Sequence, residues 1–452
     1  MAITDINKIK KKKVKYTSDW TLWACYLILC AVSIVEVFSA SSLELKNGSV
    51  YSPITSHVQW LVLGFVVVFG LEHLHYKYTK VIMVLMASVS IILAILTPFL
   101  GENVNGAVRA IDLGFVSVQA AEPCKLACAM SLAYVLSRFQ KPDGTGLSGK
   151  GVKWGLGIIL IFVGLLVFQG GSNALLVLMV GVSLMLLSVL PRKILWVGGT
   201  LAILLVAGAV TAVVISRTGG VEANATEQVA SVEVVAQEEV KPEKKSPLDK
   251  IVDKLRTGTW KRRIDDWLPG GEPEYKKETD YGLGGNSQKH HAFMAIAHGN
   301  GIGVMPGNSR ECSRLQLAFS DFIYAIILEE MGLFGGFIVL LCYLGILIRA
   351  CMISKNCKSA YASLLIMGMA MVIVYQAIYH MSISVGVLPV SGQTLPFISK
   401  GGTSILIMSM AMGMMLSVSR YAVERKGAEL RPIDDDDELP EDLKADNPAG
   451  GF

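Results

Sequence analysis

Long apolar runs separated by short polar clusters dominate the chain. A bilayer core about 30 Å thick is crossed by roughly 20 apolar residues in an α-helix, and backbone groups in lipid must form their hydrogen bonds within such helices. The runs of this length, or close to it, are 20–40, 57–73, 81–100, 119–137, 154–169, 172–191, 194–215, 322–349, 361–380 and 402–419. The pattern predicts an all-α polytopic membrane protein with about ten transmembrane helices.

The distribution of positive charge predicts the orientation of these helices. Lys and Arg cluster near the N-terminus, in alternate loops and after the last run. Cytoplasmic loops carry the excess of Lys and Arg in membrane proteins, so we expect both termini in the cytoplasm. The predicted parts are a basic cytoplasmic N-terminus (1–19), helices 1–7 (20–215), a large extracytoplasmic loop (216–321), helices 8–10 (322–420) and an acidic cytoplasmic tail (421–452).

Three segments are expected to depart from regular helix. Residues 221–250 are rich in Glu, Val and Lys, a composition typical of flexible chain. The tail 421–452 contains a run of acidic residues and is expected to be disordered. The outer segment 381–401 contains prolines and glycines that stop a helix, so it is predicted to be a re-entrant loop.

Composition narrows the class of protein. Of 452 residues, 52% are hydrophobic and 17% are charged, whereas a soluble domain carries about 25% charged residues. An ordinary soluble enzyme is therefore disfavoured. The net charge of +4 and the lack of a basic stripe with aromatic residues argue against nucleic-acid binding. The cysteines lie mostly in apolar runs and are interpreted as buried small side chains rather than metal ligands.

Ionisable groups inside predicted spans are costly, which makes them candidates for function. Glu122 and Lys125 lie three residues apart on one helix face, where they can pair. Asp321 lies where the large outer loop enters the eighth span, beside a glycine-rich stretch, a position that suits a general base. Glu329 and Glu330 lie two turns deeper, and either a functional role or structural ion pairs between helices would explain them.

Two outer segments combine glycine or proline with polar residues. Four glycines between 299 and 307 precede Ser309, but they do not follow a strand as a nucleotide-binding glycine motif would. The segment 386–404 contains Pro389 and Pro396 and cannot be helical throughout. Non-helical backbone at membrane depth is tolerated where it lines a cavity or is buried in protein, and both interpretations stay open for this segment.

These segments together resemble the SEDS family (shape, elongation, division and sporulation), the FtsW and RodA class. Residues 389–404 resemble the signature LPxTGxxLPFISxGGSS, and residues 303–309 with 320–332 resemble GxGxGxS…TDFIFAxxxEExG. Residues 105–109 and 119–125 are similar to NGAxRW and QPSExxK. The matches occur in the family's order and cover nearly the whole chain.

The chain departs from the family pattern at several positions, none of which removes Asp321. The residues that differ are Ala120 and Ala121 for Pro-Ser, Gly170 and Gly171 for Pro-Asp, Gln316 and Phe319 in the LPxAH positions, His380 for Asn, and Lys400 for Tyr. We expect these changes to affect substrate contacts more than the chemistry. The missing acid at Gly171 puts a role for that loop in doubt.

The resemblance implies a peptidoglycan glycosyltransferase that polymerises lipid II at the outer membrane face. It implies Asp321 as the general base and undecaprenyl pyrophosphate as the leaving group. It assigns substrate or pyrophosphate binding to Arg109, Glu122, Lys125, Arg263, Gln288, Ser309 and Ser404. It assigns cavity or structural roles to Asn105, Glu329, Glu330, Pro389, Pro396, Gly401 and Gly402. A divalent cation (Mg or Mn) is expected without an all-protein metal cage, and no organic cofactor is expected.

The resemblance also implies partners and a location. The expected partners are lipid II, undecaprenyl-linked glycan, a class B penicillin-binding protein and other divisome membrane proteins, with no nucleic acid. The expected location is the bacterial cytoplasmic membrane at the division septum, because Thr394 before Leu-Pro is common in the division-type members. The alternatives are an elongation polymerase of the RodA type, a flippase or transporter of lipid-linked precursors, and a scaffold.

Overall fold

The computed structural model describes most of the chain. It covers residues 17–41, 52–100, 102–104, 107–112, 117–141, 146–167, 169–189, 285–312, 314–315, 318–426 and 429–432. The predicted seventh span 194–215 and the flexible segment 221–250 lie outside these residues, as does most of the acidic tail.

Helices form most of the described structure. They are α1 (Trp20–Ser41), α2 (Ser52–His73), a short 3₁₀ helix (Tyr76–Tyr78), α3 (Thr79–Leu100), α4 (Ala121–Arg138), α5 (Gly149–Val167), α6 (Gly171–Val189), α7 (Gly285–Gly299), α8 (Ile323–Glu330), α9 (Gly332–Lys355), α10 (Ala360–Ser384) and α11 (Gly402–Tyr421). The strands are β1 (Glu102–Val104), β2 (Ala107–Asp112), β3 (Ser117–Gln119), β4 (Val423–Lys426) and β5 (Glu429–Pro432).

The prediction of a polytopic helical membrane protein is confirmed. Within the described residues, eight helices are long and apolar enough to cross a membrane: α1, α2, α3, α5, α6, α9, α10 and α11. Helix α4 occupies the predicted span 119–137 and is more polar, because it carries Glu122, Lys125 and Arg138. Helices α2, α3 and α5 expose large apolar side chains, as expected of surfaces that contact lipid.

Helix α10 lies at the centre of the bundle, and nearly all of its side chains are buried. It packs against α4, α6, α9 and α11. Around this centre, α2 packs along α11, α1 packs on α9 and α2, and α3, α5 and α6 surround α4. Glu122 and Lys125 of α4, and Gln376 and His380 of α10, are buried in protein rather than exposed to lipid.

The predicted eighth span 322–349 is not one helix, so this prediction was wrong. Helix α8 ends at Glu330 and α9 begins at Gly332, whose φ is +65°. This left-handed conformation suits glycine and interrupts a right-handed helix. Val304 N and Met305 N each donate a 2.9 Å hydrogen bond to the carbonyl oxygens of Glu329 and Glu330. A second chain segment therefore binds the backbone groups that the break leaves exposed.

Strands occur in two places where the sequence pattern predicted none. Between α3 and α4, β1, β2 and β3 form an antiparallel sheet in that order, with Ile111 opposite Val118. After α11, β4 and β5 pair as an antiparallel hairpin with Glu424 opposite Arg431. The start of the predicted disordered tail is thus ordered hairpin.

Candidate active site

The predicted re-entrant segment 381–401 begins later than expected, because residues 381–384 still belong to helix α10. The segment that carries Asp321 is joined to the remaining non-helical part, residues 385–401, which is called the outer segment. The backbone N–H of Lys400 donates to the Phe319 carbonyl at 2.9 Å, and Ser399 Oγ donates to the Ser320 carbonyl at 2.7 Å. The Lys400 ammonium lies 4.5 Å from the centre of the Phe319 ring, a cation–π distance. Two segments that the sequence singled out independently therefore form one site.

Asp321 lies directly before α8, at the junction of these segments. Its side chain is half-buried, and Ser320 Oγ donates to Asp321 Oδ1 at 3.2 Å. A half-buried carboxylate is partly shielded from water yet accessible to a substrate. The position is compatible with the general-base role that the sequence predicts.

The outer segment 385–401 is non-helical and largely buried in protein. Pro396 and Phe397 are buried, and the Tyr343 hydroxyl donates to the Pro396 carbonyl at 2.5 Å. A Cβ atom on Gly402 would lie 2.5 Å from the Trp60 ring, so a larger residue does not fit there without movement. Burial against α2 and α9 is what makes this backbone tolerable at membrane depth.

A chain of buried polar groups connects α4 to the outer segment. Lys125 Nζ lies 2.7 Å from Glu122 Oε1, and both side chains are at most 3% exposed. The Lys125 ammonium also donates to Gln376 Oε1. Gln376 Nε2 donates to both oxygens of Thr394 at 3.1 Å, and the Thr394 hydroxyl lies 2.9 Å from Ser404 Oγ. The predicted Glu122–Lys125 pair is present, and Ser404 belongs to the same network.

A second buried network, which the sequence did not predict, holds Gln393 in the middle of this segment. Gln393 Nε2 donates to Ser172 Oγ at 3.1 Å and to Asn173 Oδ1 at 2.9 Å. His380 Nδ1 donates to the Gln393 carbonyl at 2.7 Å. Amide side chains within apolar runs were the available signal, because buried polar groups need hydrogen-bond partners. Their partners are far away in sequence, so the pattern could not identify them.

Glu329 and Glu330 bind the glycine-rich turn to the helix bundle. Glu329 accepts from Ser309 Oγ at 2.5 Å and from Arg310 N at 3.0 Å. Glu330 accepts from Ser39 Oγ and, at 3.3 Å, from Gly307 N. These contacts favour the structural interpretation of the two carboxylates. They also occupy the Ser309 hydroxyl, which was predicted to contact substrate.

Helix α7, which ends where this turn begins, packs on α8. His291 Nδ1 lies 2.6 Å from Glu311 Oε2, and His298 Nδ1 lies 3.6 Å from Glu329 Oε1. Burial, with the neighbouring charges of His291 and Lys289, lowers the pKa of His290 from its usual range. Gln288 is half-buried on the same helix.

A family model for cell cycle proteins of the FtsW, RodA and SpoVE type matches residues 19–239 and 260–424. The chain belongs to this family. The match includes Asp321, both buried networks and the outer segment.

Similar proteins span nearly the same length. A probable peptidoglycan glycosyltransferase FtsW from Coxiella burnetii is 25% identical over 91% of this chain and 98% of its own. The stage V sporulation protein E of Bacillus subtilis is 27% identical over 90% of this chain and 98% of its own. A probable peptidoglycan glycosyltransferase FtsW from Xanthomonas oryzae is 29% identical over 91% of this chain and 75% of its own.

Solved structures share the fold. A chain of a peptidoglycan synthase complex, described as coordinating polymerisation and crosslinking, has a TM-score of 0.61, with 21% identity over 90% of this chain and 98% of that one. The rod shape determining protein RodA of Thermus thermophilus has a TM-score of 0.56, with 19% identity over 90% of this chain and 98% of its own.

Several residues that the family resemblance implicates are placed only in part. The backbone of Arg109 lies in β2, while its side chain, Asn105 and Arg263 lie outside the described residues. Pro389 and Gly401 are half-buried on the outer segment. In the described part of the chain, no three or more His, Cys, Asp or Glu side chains are grouped to hold a metal ion. The described residues therefore do not fit a resident metal cage.

Proposed function

We propose that the chain is a peptidoglycan glycosyltransferase that polymerises lipid II into β-1,4 glycan at the outer face of the cytoplasmic membrane. The observation that carries the proposal is the half-buried Asp321, whose segment is bound to the outer segment through Ser399 and Lys400. Relatives named as probable peptidoglycan glycosyltransferases support the reaction class.

In the proposed reaction, Asp321 accepts the proton of the 4-hydroxyl group of the acceptor GlcNAc. The resulting oxygen nucleophile attacks C1 of the donor MurNAc, a C–O bond forms with inversion, and the bond from C1 to the pyrophosphate oxygen breaks. A sugar hydroxyl is a weak nucleophile, and a positioned base accelerates such a step by roughly 10²–10⁴-fold.

The departing undecaprenyl pyrophosphate requires positive charge. We assign this role to Arg109 and Lys125, with Arg263 as a further candidate. Lys125 is buried between Glu122 and Gln376. Its charge would therefore influence a phosphate indirectly, through the hydrogen bonds from Gln376 to the outer segment, or directly after a rearrangement of α4 and α10. Glu122 keeps the lysine oriented toward α10.

We further propose a division-type role at the septum, with a class B penicillin-binding protein as partner. The named FtsW relatives and Thr394 before Leu-Pro support the division type. The similarity to a chain from a peptidoglycan synthase complex supports a crosslinking partner. An elongation role of the RodA type is the alternative.

Polymerisation of lipid II by the purified protein tests the proposal. We expect glycan chains from the wild-type protein, alone or with its cognate transpeptidase, resolved as a ladder on a gel. A protein that makes no polymer in either condition, but moves lipid II across liposome membranes, would instead be a transporter. A protein that does neither, while supporting cell division, would be a scaffold.

A further inference from the structure

The turn at 395–399 holds an unfavourable backbone conformation next to Asp321. Phe397 has a φ of +66°, which is costly for a residue with a Cβ atom. Such conformations persist where the surrounding structure imposes them, and they are concentrated at functional sites. The contacts that impose this one identify residues on which the site depends.

Residues of α1 and α9 contact the turn, and a residue of α2 contacts one of them. The Tyr26 ring of α1 packs edge-on against the Phe397 ring with centroids 5.2 Å apart, and Tyr343 of α9 binds the Pro396 carbonyl. Ser33 Oγ donates to the Ile398 carbonyl at 2.8 Å. His57 Nε2 of α2 lies 2.7 Å from the same Ser33 Oγ.

The direction of the hydrogen bond between His57 and Ser33 follows from the single proton of a serine hydroxyl. Because Ser33 gives that proton to the Ile398 carbonyl, its oxygen must accept from His57. His57 therefore carries its proton on Nε2. The histidine fixes the rotamer of Ser33, and the serine fixes the turn.

Hydrogen bonds also join the 395–399 turn and Lys400 to the backbone of the residues that precede Asp321. Immediately after Ile398, Ser399 Oγ donates to the Ser320 carbonyl, and Lys400 N donates to the Phe319 carbonyl. A continuous path of hydrogen bonds and short backbone steps thus runs from His57 to the residue before Asp321.

Ser33 differs from an ordinary buried serine of a membrane helix. Such a hydroxyl commonly bonds a carbonyl in the preceding turn of its own helix, as Ser90 Oγ does with the Met86 carbonyl at 2.5 Å. Ser33 and Ser90 are both fully buried. Ser33 donates its proton to a different segment, the 395–399 turn, which is bonded to the residues before Asp321.

We propose that Ser33 and His57 are positioning residues of the transferase: they hold the 395–399 turn so that the Asp321 carboxylate is aligned with the acceptor hydroxyl. The proposal rests on the proposed function. It predicts an effect on the chemical step rather than on substrate binding, because neither side chain needs to contact the substrate.

Steady-state lipid II polymerisation by folded, purified variants tests this proposal. Ser33→Ala is expected to lower kcat by about 10–100-fold, the size of effect that a small misplacement of a catalytic group produces, with KM within about 2-fold. Ser33→Thr keeps the hydroxyl and should recover most of kcat. Ser90→Ala, the matched control, should have the kcat of the wild-type protein.

His57 gives an independent comparison. His57→Gln retains an N–H donor for Ser33 and should keep more kcat than His57→Phe, which has none. This comparison decides the question if Ser33→Ala does not fold. Equal kcat in Ser33→Ala and Ser90→Ala, or equal kcat in His57→Gln and His57→Phe, would overturn the proposal. Inactive wild-type protein would instead contradict the proposed function.

Discussion

At the scale of single residues, the buried ion pair of Glu122 and Lys125 is linked to the candidate site by the hydrogen bonds of Gln376. Removing one partner of a buried ion pair leaves an uncompensated charge, which costs about 3–5 kcal/mol. Lys125→Met should therefore lower the thermal unfolding temperature in detergent, and it should reduce lipid II turnover more than it reduces membrane insertion.

The double variant Glu122→Gln/Lys125→Met is the matched control for this prediction. It removes the unpaired carboxylate, so it should recover much of the lost stability without recovering turnover. If Lys125→Met has the unfolding temperature and the lipid II turnover of the wild-type protein, Lys125 neither stabilises the fold nor contributes to the reaction.

The sequence identified one part of this network and missed another. The spacing of three residues between Glu122 and Lys125 predicts their pairing from local geometry alone. Gln376 lies 251 residues after Lys125, and no local pattern links the two. The contact of Ser309 with Glu329 was not predicted for a similar reason: the two residues are 20 positions apart.

At the scale of elements, the break between α8 and α9 depends on two glycines that approach closely. Gly303 has a φ of +86°, and a Cβ atom there would lie 2.5 Å from Gly332 N. Gly303→Ala should lower stability by more than the roughly 1–2 kcal/mol of a left-handed alanine, because overlap adds to the strain. It should also lower polymerisation, since the turn binds the C-terminal end of α8, the helix that follows Asp321.

Gly301→Ala is the control in the same turn. No described atom lies within 4 Å of its added Cβ, and its φ is not in the left-handed region. Unfolding temperatures measured side by side should fall for Gly303→Ala and change little for Gly301→Ala. Equal values in the two variants would show that the close approach does not matter.

The sequence predicted the elements well where apolar runs are long, because the cost of unpaired backbone in lipid enforces helices there. It did not predict the break at Gly332, because one glycine inside an apolar run is also compatible with a continuous helix. The hydrogen bonds from Val304 and Met305 that stabilise the break come from a separate segment. Such long-range pairing is not encoded in local periodicity.

At the scale of the whole molecule, the proposed reaction requires Asp321 to lie on the outer side of the membrane. The distribution of Lys and Arg predicts cytoplasmic termini and an extracytoplasmic loop 216–321. Alkaline phosphatase is active only outside the cytoplasm. We expect activity when it is inserted after Lys250 and none when it is fused after Phe452. The reverse pattern would place the candidate site on the wrong face for extracytoplasmic polymerisation.

The central claim is that the Asp321 carboxylate is the base of a glycosyl transfer. The most direct measurement compares lipid II polymerisation by wild-type, Asp321→Asn and Asp321→Ala proteins, each shown to be folded by its unfolding temperature and elution volume. Asparagine is nearly isosteric with aspartate but cannot accept the proton. We expect glycan polymer from the wild-type protein and none from either variant. Full polymerisation by folded Asp321→Ala would show that this carboxylate is not the base.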